Sequence, residues 1–273
     1  MSTGTEEAVN VFRWYGDIDR LIDATISSCY SRSWDENFIT HTLLRALIGH
    51  TPKVTVVSPY PLGLPVRIAW DAFKLEKPLE TAKGDVAVFV RTYASGQGKP
   101  FEGVGFFEAK KIDPKKKNKM SAIKSTNQLK VMMQGVPHHC VVIYDYEAWS
   151  WHQSLNALYD LRAFPHPWIP PGKRDTHCLA IPTNCLLALK KKGRAVYPFT
   201  SPFTTQLCMR YLQGFDLEYD EVSITRAKGF LGDALSPQFI LVAHIGRDGT
   251  EPPDIDAQTL APGYVRLTDL QNP

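Results

Sequence analysis

Residues 85–111 read DVAVFVRTYASGQGKPFEGVGFFEAKK. Two apolar runs, 85–93 and 101–111, flank the glycine-rich segment 94–100, and this pattern predicts a β-hairpin. The second run ends on charge, with Glu108 and Lys110 following Phe106. Residues two apart on a strand share a face, so Glu108 and Lys110 project together. A turn centred near residue 97 sets Asp85 opposite residue 109. Asp85, Glu108 and Lys110 are then expected to converge at one end of a sheet.

Outward from the hairpin, residues 17–30 carry Ile18, Leu21, Ile22 and Ile26 at helical spacing. Residues 35–48 carry Phe38, Leu43, Leu44, Leu47 and Ile48 in the same way, so two helices precede the hairpin. The run at 54–60 predicts a short buried strand, and a second strand fits 66–70 within a proline-broken stretch. After the hairpin come a lysine-rich segment at 110–124, a short helix at 125–135 and a strand at 138–147. The stretch 148–176 is rich in Trp, Pro and His, with room for a helix at 152–162 before prolines break it. A partner-facing surface is expected there. Residues 178–193 open as a strand and turn helical, 204–216 read as a helix, and 239–246 as a strand. The proline-rich, polar tail beyond 247 is expected to form an irregular edge. Alternating helices and strands give an α/β class, a central mixed sheet flanked by helices. Without a strong linker, the expectation is one domain, with a core over 30–147 and a C-terminal elaboration over 148–273.

The chain has 273 residues, ample for a large hydrophobic core. No apolar run reaches the length of a membrane span, and the polar, acidic start MSTGTEEAVNVF does not read as a signal peptide. A cytoplasmic protein without membrane contact is expected. Five widely spaced cysteines, an odd number, do not form a disulfide framework, and the Cys and His positions lack zinc-site spacing. The net charge of +3 is too mild to imply nucleic acid, so local clustering has to carry that argument.

Two convergent carboxylates raise each other's pKa unless a cation lies between them. A hard divalent ion such as Mg²⁺ (or Mn²⁺) resolves the conflict, because it takes one or two carboxylates and water. A lysine beside it orients a water and stabilises a phosphate in transition, which is the chemistry of metal-assisted phosphodiester hydrolysis. Asp85, twenty-two intervening residues, then Glu108-Ala109-Lys110 resembles the PD-(D/E)XK, or restriction-endonuclease-like, nuclease superfamily. The resemblance spans roughly residues 30–147 and includes the order helix, hairpin, helix, strand. It implies a restriction-endonuclease-like core with Asp85 and Glu108 as metal ligands, joined by the carbonyl of Ala109. It implies Lys110 as the catalytic lysine, Glu36 as the additional acidic residue of the early helix, and Gln128 as a supporting residue. The residue before Asp85 is Gly84 rather than proline, and Met132 stands where one branch of the superfamily carries tyrosine. The resemblance also implies a Mg²⁺-dependent endonuclease acting on DNA, with RNA not separated from it. The resemblance further implies a role among effectors of bacterial defence against phage, with cleavage expected to be restrained by a protein partner or by homo-oligomerisation.

Each site residue also has a plainer reading. Glu108 and Lys110 fit a solvated ion pair, and Asp85 fits a turn hydrogen bond. Ser33-Trp34-Asp35-Glu36 matches a capping box, with Ser33 as cap and Glu36 reaching back, one turn before Thr40. Gln128 fits helix surface. Lys111, Lys115, Lys116, Lys117, Lys119 and Lys124 fit either a mobile loop or a phosphate-neutralising strip directly after the charged strand. A second cluster, Lys190–Lys192 with Arg194, is a weaker case of the same kind. The alternative function is a nuclease-like subunit that has lost cleavage and binds nucleic acid or serves assembly.

Overall fold

The computed structural model describes residues 9–50, 53–57, 66–76, 85–94, 99–115, 129–130, 136, 138–151, 174–189, 193–228, 237–247, 250 and 262–270. Two helices come first, α1 (Val11–Tyr30) and α2 (Glu36–His50). α1 starts earlier than residue 17, because buried Trp14 and Tyr15 extend the apolar stripe of Ile18, Ile22, Ile26 and Cys29. α2 begins on a different cap from the expected one. Asp35 Oδ1 accepts the N–H groups of Asn37 at 3.0 Å and Phe38 at 3.2 Å. Ser33 instead uses its own N–H on the Cys29 carbonyl at 2.9 Å, closing the end of α1. Asp35 therefore displaces the capping box, Glu36 becomes the first helical residue, and its carboxylate is available elsewhere.

The strands are β1 (Val9–Asn10), β2 (Lys53–Val57), β3 (Val66–Leu75), β4 (Val86–Tyr93), β5 (Phe101–Lys111), β6 (His139–Trp151), β7 (Arg174–Pro182), β8 (Ser201–Pro202), β9 (Phe239–Gly246) and β10 (Tyr264–Arg266). Among the described residues they form one ten-stranded sheet, ordered β1-β2-β3-β9-β4-β5-β6-β7-β8, with β10 beside β3. The sheet is mixed: β9 runs antiparallel to β3 and parallel to β4. Every residue of β9, FILVAHIG, is buried, as a strand covered on both faces requires. The β4–β5 hairpin forms as expected, one residue away from the anticipated register. Val86 pairs with Phe107, which brings Asp85 abreast of Glu108 rather than 109. β5 then runs parallel to β6, with Glu108 beside Val141 and Lys110 beside Ile143.

Strand alternation gives the sheet two apolar faces. On one, Val86, Val88, Phe107, Ala109, Val142 and Tyr144 pack with α1 and α2. On the other, Ala87, Phe89, Val104 and Phe106 pack with Ala227 of α4 (Glu221–Ala227). Further along that second face, Val141 and Ile143 meet Leu186 of α3 (Thr183–Ala188), Val196 and Tyr197. The class is thus α/β, a mixed sheet flanked by helices.

The expected helix at 204–216 is a π-helical turn, Thr205–Arg210, followed by a 3₁₀ turn, Tyr211–Gln213. It ends at Gly214, whose φ of 86° is the left-handed conformation that glycine adopts freely. The tail is not irregular throughout, as expected, because Tyr264–Arg266 pairs with β3. Tyr264 and Leu267 are buried, and the Tyr264 hydroxyl donates to the Pro237 carbonyl at 2.5 Å. Of the expected helix at 125–135 only Leu129 and Lys130 are described, both helical. The helix expected at 152–162, and most of the surface at 148–176, lie outside the described residues. The five cysteines are free thiols, and no helix among the described residues is long and apolar enough to cross a membrane.

Candidate active site at the end of β5

β4 begins at Val86, opposite Phe107, but β5 continues to Lys111. Alternate residues of a strand turn their N–H and C=O groups to the same neighbour. Phe107 faces β4, so Ala109 and Lys111 face the same side, past the end of that strand. Carboxylates complete the ladder there. Asp85 Oδ2 accepts the Ala109 N–H at 2.8 Å, and Glu36 Oε1 accepts the Lys111 N–H at 3.1 Å. The Ala109 carbonyl points to this same side. Asp85 is itself held by two strands: its N–H donates to Phe107 O at 3.0 Å, and its carbonyl accepts from Phe239 of β9 at 2.9 Å.

Glu108 and Lys110 leave β5 on the Phe106 face and are 4% and 8% exposed. At that burial they are no solvated surface pair. Lys110 Nζ donates to Glu108 Oε1 at 2.5 Å and lies 3.8 Å from Glu36 Oε2. Glu108 and Glu36 thus approach the Lys110 ammonium directly, and Asp85, bonded to the Ala109 N–H, adds a third negative charge nearby.

Burial, and then the neighbouring Glu108 charge, push the Asp85 carboxyl up to about 7, against the pull of Lys110 and the Ala109 N–H. Burial raises Glu108 as well, although Lys110 opposes it. Burial works to lower the Lys110 ammonium, but Glu108, Glu36 and Asp85 outweigh it and hold it above its ordinary value. The carboxylates outnumber the cation, and burial resists ionising both Asp85 and Glu108.

Residues behind the site fix its parts. Thr40, one turn along α2 from Glu36, shares a 3.0 Å hydrogen bond with the buried Tyr144 hydroxyl, and Tyr144 stands beside Lys111 in register. The Trp34 indole N–H donates to Ile112 O at 2.8 Å, and the Lys111 ammonium donates to the Trp34 carbonyl. The start of α2 is thereby tied to the end of β5. Sequence reasoning did not single out Trp34 or Tyr144. Their partners lie 78 and 104 residues away along the chain, and no local pattern signals them.

Of the expected site residues, the structure brings together Asp85, Glu108, Ala109, Lys110 and Glu36. Lys111 is half-buried and directed at Trp34, whereas Lys115 is exposed. Gln128, Lys116, Lys117, Lys119 and Lys124 lie outside the described residues. In the second basic cluster Arg194 is engaged by Asp145 at 2.7 Å and Glu147 at 2.5 Å.

Among the described residues, no group of three or more His, Cys, Asp or Glu side chains is placed to hold a metal ion unaided. The set at β5 is smaller, Asp85 and Glu108 with the Ala109 carbonyl, and all of it is hard oxygen. Mg²⁺ completes its shell with water and needs one or two carboxylates, so these residues fit that ion. Compared with protein-family models, curated proteins and solved structures, the chain finds no match in any of the three.

Proposed function

We propose that the chain is a restriction-endonuclease-like, Mg²⁺- or Mn²⁺-dependent nuclease that hydrolyses phosphodiester bonds of DNA. One observation carries this reading: where β4 has ended, the buried Glu108 and Lys110 lie with Glu36 on the ammonium and with Asp85 holding the intervening Ala109 N–H. A structural ion pair needs one carboxylate for its ammonium. The surplus of carboxylates, with Asp85 pushed to about 7, is the perturbation expected where a cation or a reaction is served.

Asp85, Glu108 and the Ala109 carbonyl would hold the metal, which supplies a more acidic water and a polarised phosphate. Lys110 orients the attacking water and stabilises charge on the scissile phosphate. Glu36 keeps Lys110 and the Lys111 backbone in place, since it already touches both. Lys115 and the lysines after it neutralise the phosphates of the substrate. A role in defence against phage, with a partner that restrains cleavage, follows from the resemblance alone.

A second reading is a binding or assembly subunit that does not cleave. It is favoured by the 2.5 Å contact of Lys110 with Glu108, in which the ammonium takes an oxygen the metal would need. Supercoiled plasmid, whose torsion favours opened, unpaired stretches, tested beside a single-stranded DNA circle, separates the two. Wild-type protein is expected to nick it with Mg²⁺ or Mn²⁺ and not in EDTA. Glu108→Ala and Lys110→Ala each reduce nicking by about a hundredfold or more. Undiminished cleavage in both variants would sink the site assignment; DNA binding without cleavage in any metal would favour the second reading.

A further inference from the structure

Beside the carboxylates, the last residue of α1 meets the bulged end of β6. Tyr30 and Tyr146 stack with centroids 5.2 Å apart and planes 21° from parallel. Trp34 stands edge-on to both, at 5.5 and 6.2 Å. The Arg194 guanidinium lies over the Tyr146 ring, 5.0 Å from its centroid. Arg194 and Tyr30 thus both pack on the Tyr146 ring.

The inner end of this stack is fixed. Arg194 Nε and Nη2 donate to Asp145 at 2.8 and 2.7 Å, and Asp145, 1% exposed, also accepts from the Tyr197 hydroxyl. The outer end is Tyr30, 47% exposed. Trp34 links the rings to the site, because its carbonyl holds the Lys111 ammonium while Glu36 holds the Lys111 N–H. Exposed cations, Arg32 and Lys115, lie on the same two segments, 30–34 and 111–115. The nearby carboxylates Asp35, Asp113 and Glu147 are engaged, Asp35 in capping α2, Asp113 by the Lys115 N–H and Glu147 on Arg194.

We propose that Tyr30 is a stacking platform for an unpaired base, and that the substrate class of the adjacent site is single-stranded DNA; this rests on the nuclease reading. In an intact duplex the base faces cover one another and offer nothing to an aromatic platform. A single strand exposes them, and basic side chains interleaved with rings are what such a strand is held by. Tyr30, stacked on Tyr146 and 47% exposed, leaves ring surface for a base to continue the stack, and the exposed Arg32 and Lys115 suit the phosphates of the same strand.

The test uses the full chain in EDTA, so that no cleavage is needed. Fluorescence anisotropy would compare a labelled oligo(dT) with an abasic oligomer of equal length and charge. Wild-type protein is expected to prefer oligo(dT) by about tenfold or more, the scale of one base stacked on one aromatic ring. Tyr30→Ala removes that preference and leaves abasic binding unchanged, and Tyr30→Phe restores it. Equal affinity for the two oligomers, or a preference that survives Tyr30→Ala, overturns the platform. If that happens while plasmid nicking depends on Glu108, the nuclease reading stands without it. A base preference that Tyr30→Ala abolishes, in a protein that cleaves nothing, keeps the platform and removes the nuclease.

Discussion

Asp85 has to accept the Ala109 N–H in a place where burial and Glu108 both oppose its charge. Its pKa rises from an ordinary 3.8 to about 7, so between those values the folded, metal-free protein keeps a proton that the unfolded chain releases. The associated stability is complete below the unfolded value and is lost as pH rises through the folded one. Asp85→Asn retains an acceptor for Ala109 and removes the charge. In EDTA at pH 8 it should raise stability by roughly 1–2 kcal/mol, and near pH 4 it should change little. Thermal denaturation at the two pH values reads this; an equal gain at both would contradict the assigned titration. At this scale the triad of Asp85, Glu108 and Lys110 was legible because face-sharing along a strand is a local rule. The cap of α2 was not, because Ser33 and Asp35 are both cap formers and only the fold chooses between them.

β5 shows how one strand serves two purposes along its length. Its last residues carry the charges, and its middle carries two glycines against which the chain at 211–219 closes. A Cβ on Gly105 would meet the Tyr211 ring at 2.6 Å, and Tyr211 is buried with its hydroxyl 3.2 Å from Cys140 Sγ. Gly105→Ala should therefore destabilise the protein by about 1–3 kcal/mol through overpacking. A Cβ on Gly103 would meet Tyr219, also at 2.6 Å, but that ring is 42% exposed and can swing outward. Gly103→Ala should then lower the urea midpoint distinctly less than Gly105→Ala; equal losses would mean that Tyr219 is as confined as Tyr211. The hairpin and most elements could be read from alternation, helical spacing and turn residues. The neighbours of each strand could not: FILVAHIG reads as a buried strand, and nothing in it says that it enters between β3 and β4.

Across the whole molecule, the C-terminal segment closes the flank of the sheet. β10 pairs with Phe73–Leu75, beyond the stretch of β3 that β2 covers. Leu267 is fully buried, its N–H donates to Ala72 O at 2.8 Å, and Arg266 bonds Asp71. Ending the chain at residue 261 should remove at least about 3 kcal/mol, from Leu267 and Tyr264 burial alone. It also uncovers a stretch of strand edge, so aggregation that grows with protein concentration is expected alongside a lower urea midpoint. An unchanged midpoint would show that β10 is dispensable. The tail looked irregular in sequence because a three-residue strand is too short to show a period.

The place of β9 also fixes when the protein can become complete on the ribosome. Phe239 follows Lys111, the last residue of β5, by about 130 residues, and a chain growing at roughly 5–20 residues per second takes roughly six to twenty-six seconds to span them. Throughout that interval the hairpin residues Asp85, Glu108 and Lys110 are present, but β3 and β4 have no strand between them and the Asp85 carbonyl lacks the Phe239 N–H. The charged end of the sheet is thus assembled only after β9 has been made, by a long-range pairing of the slow-forming kind. A nascent chain released early carries the charged hairpin without the strand that locks it.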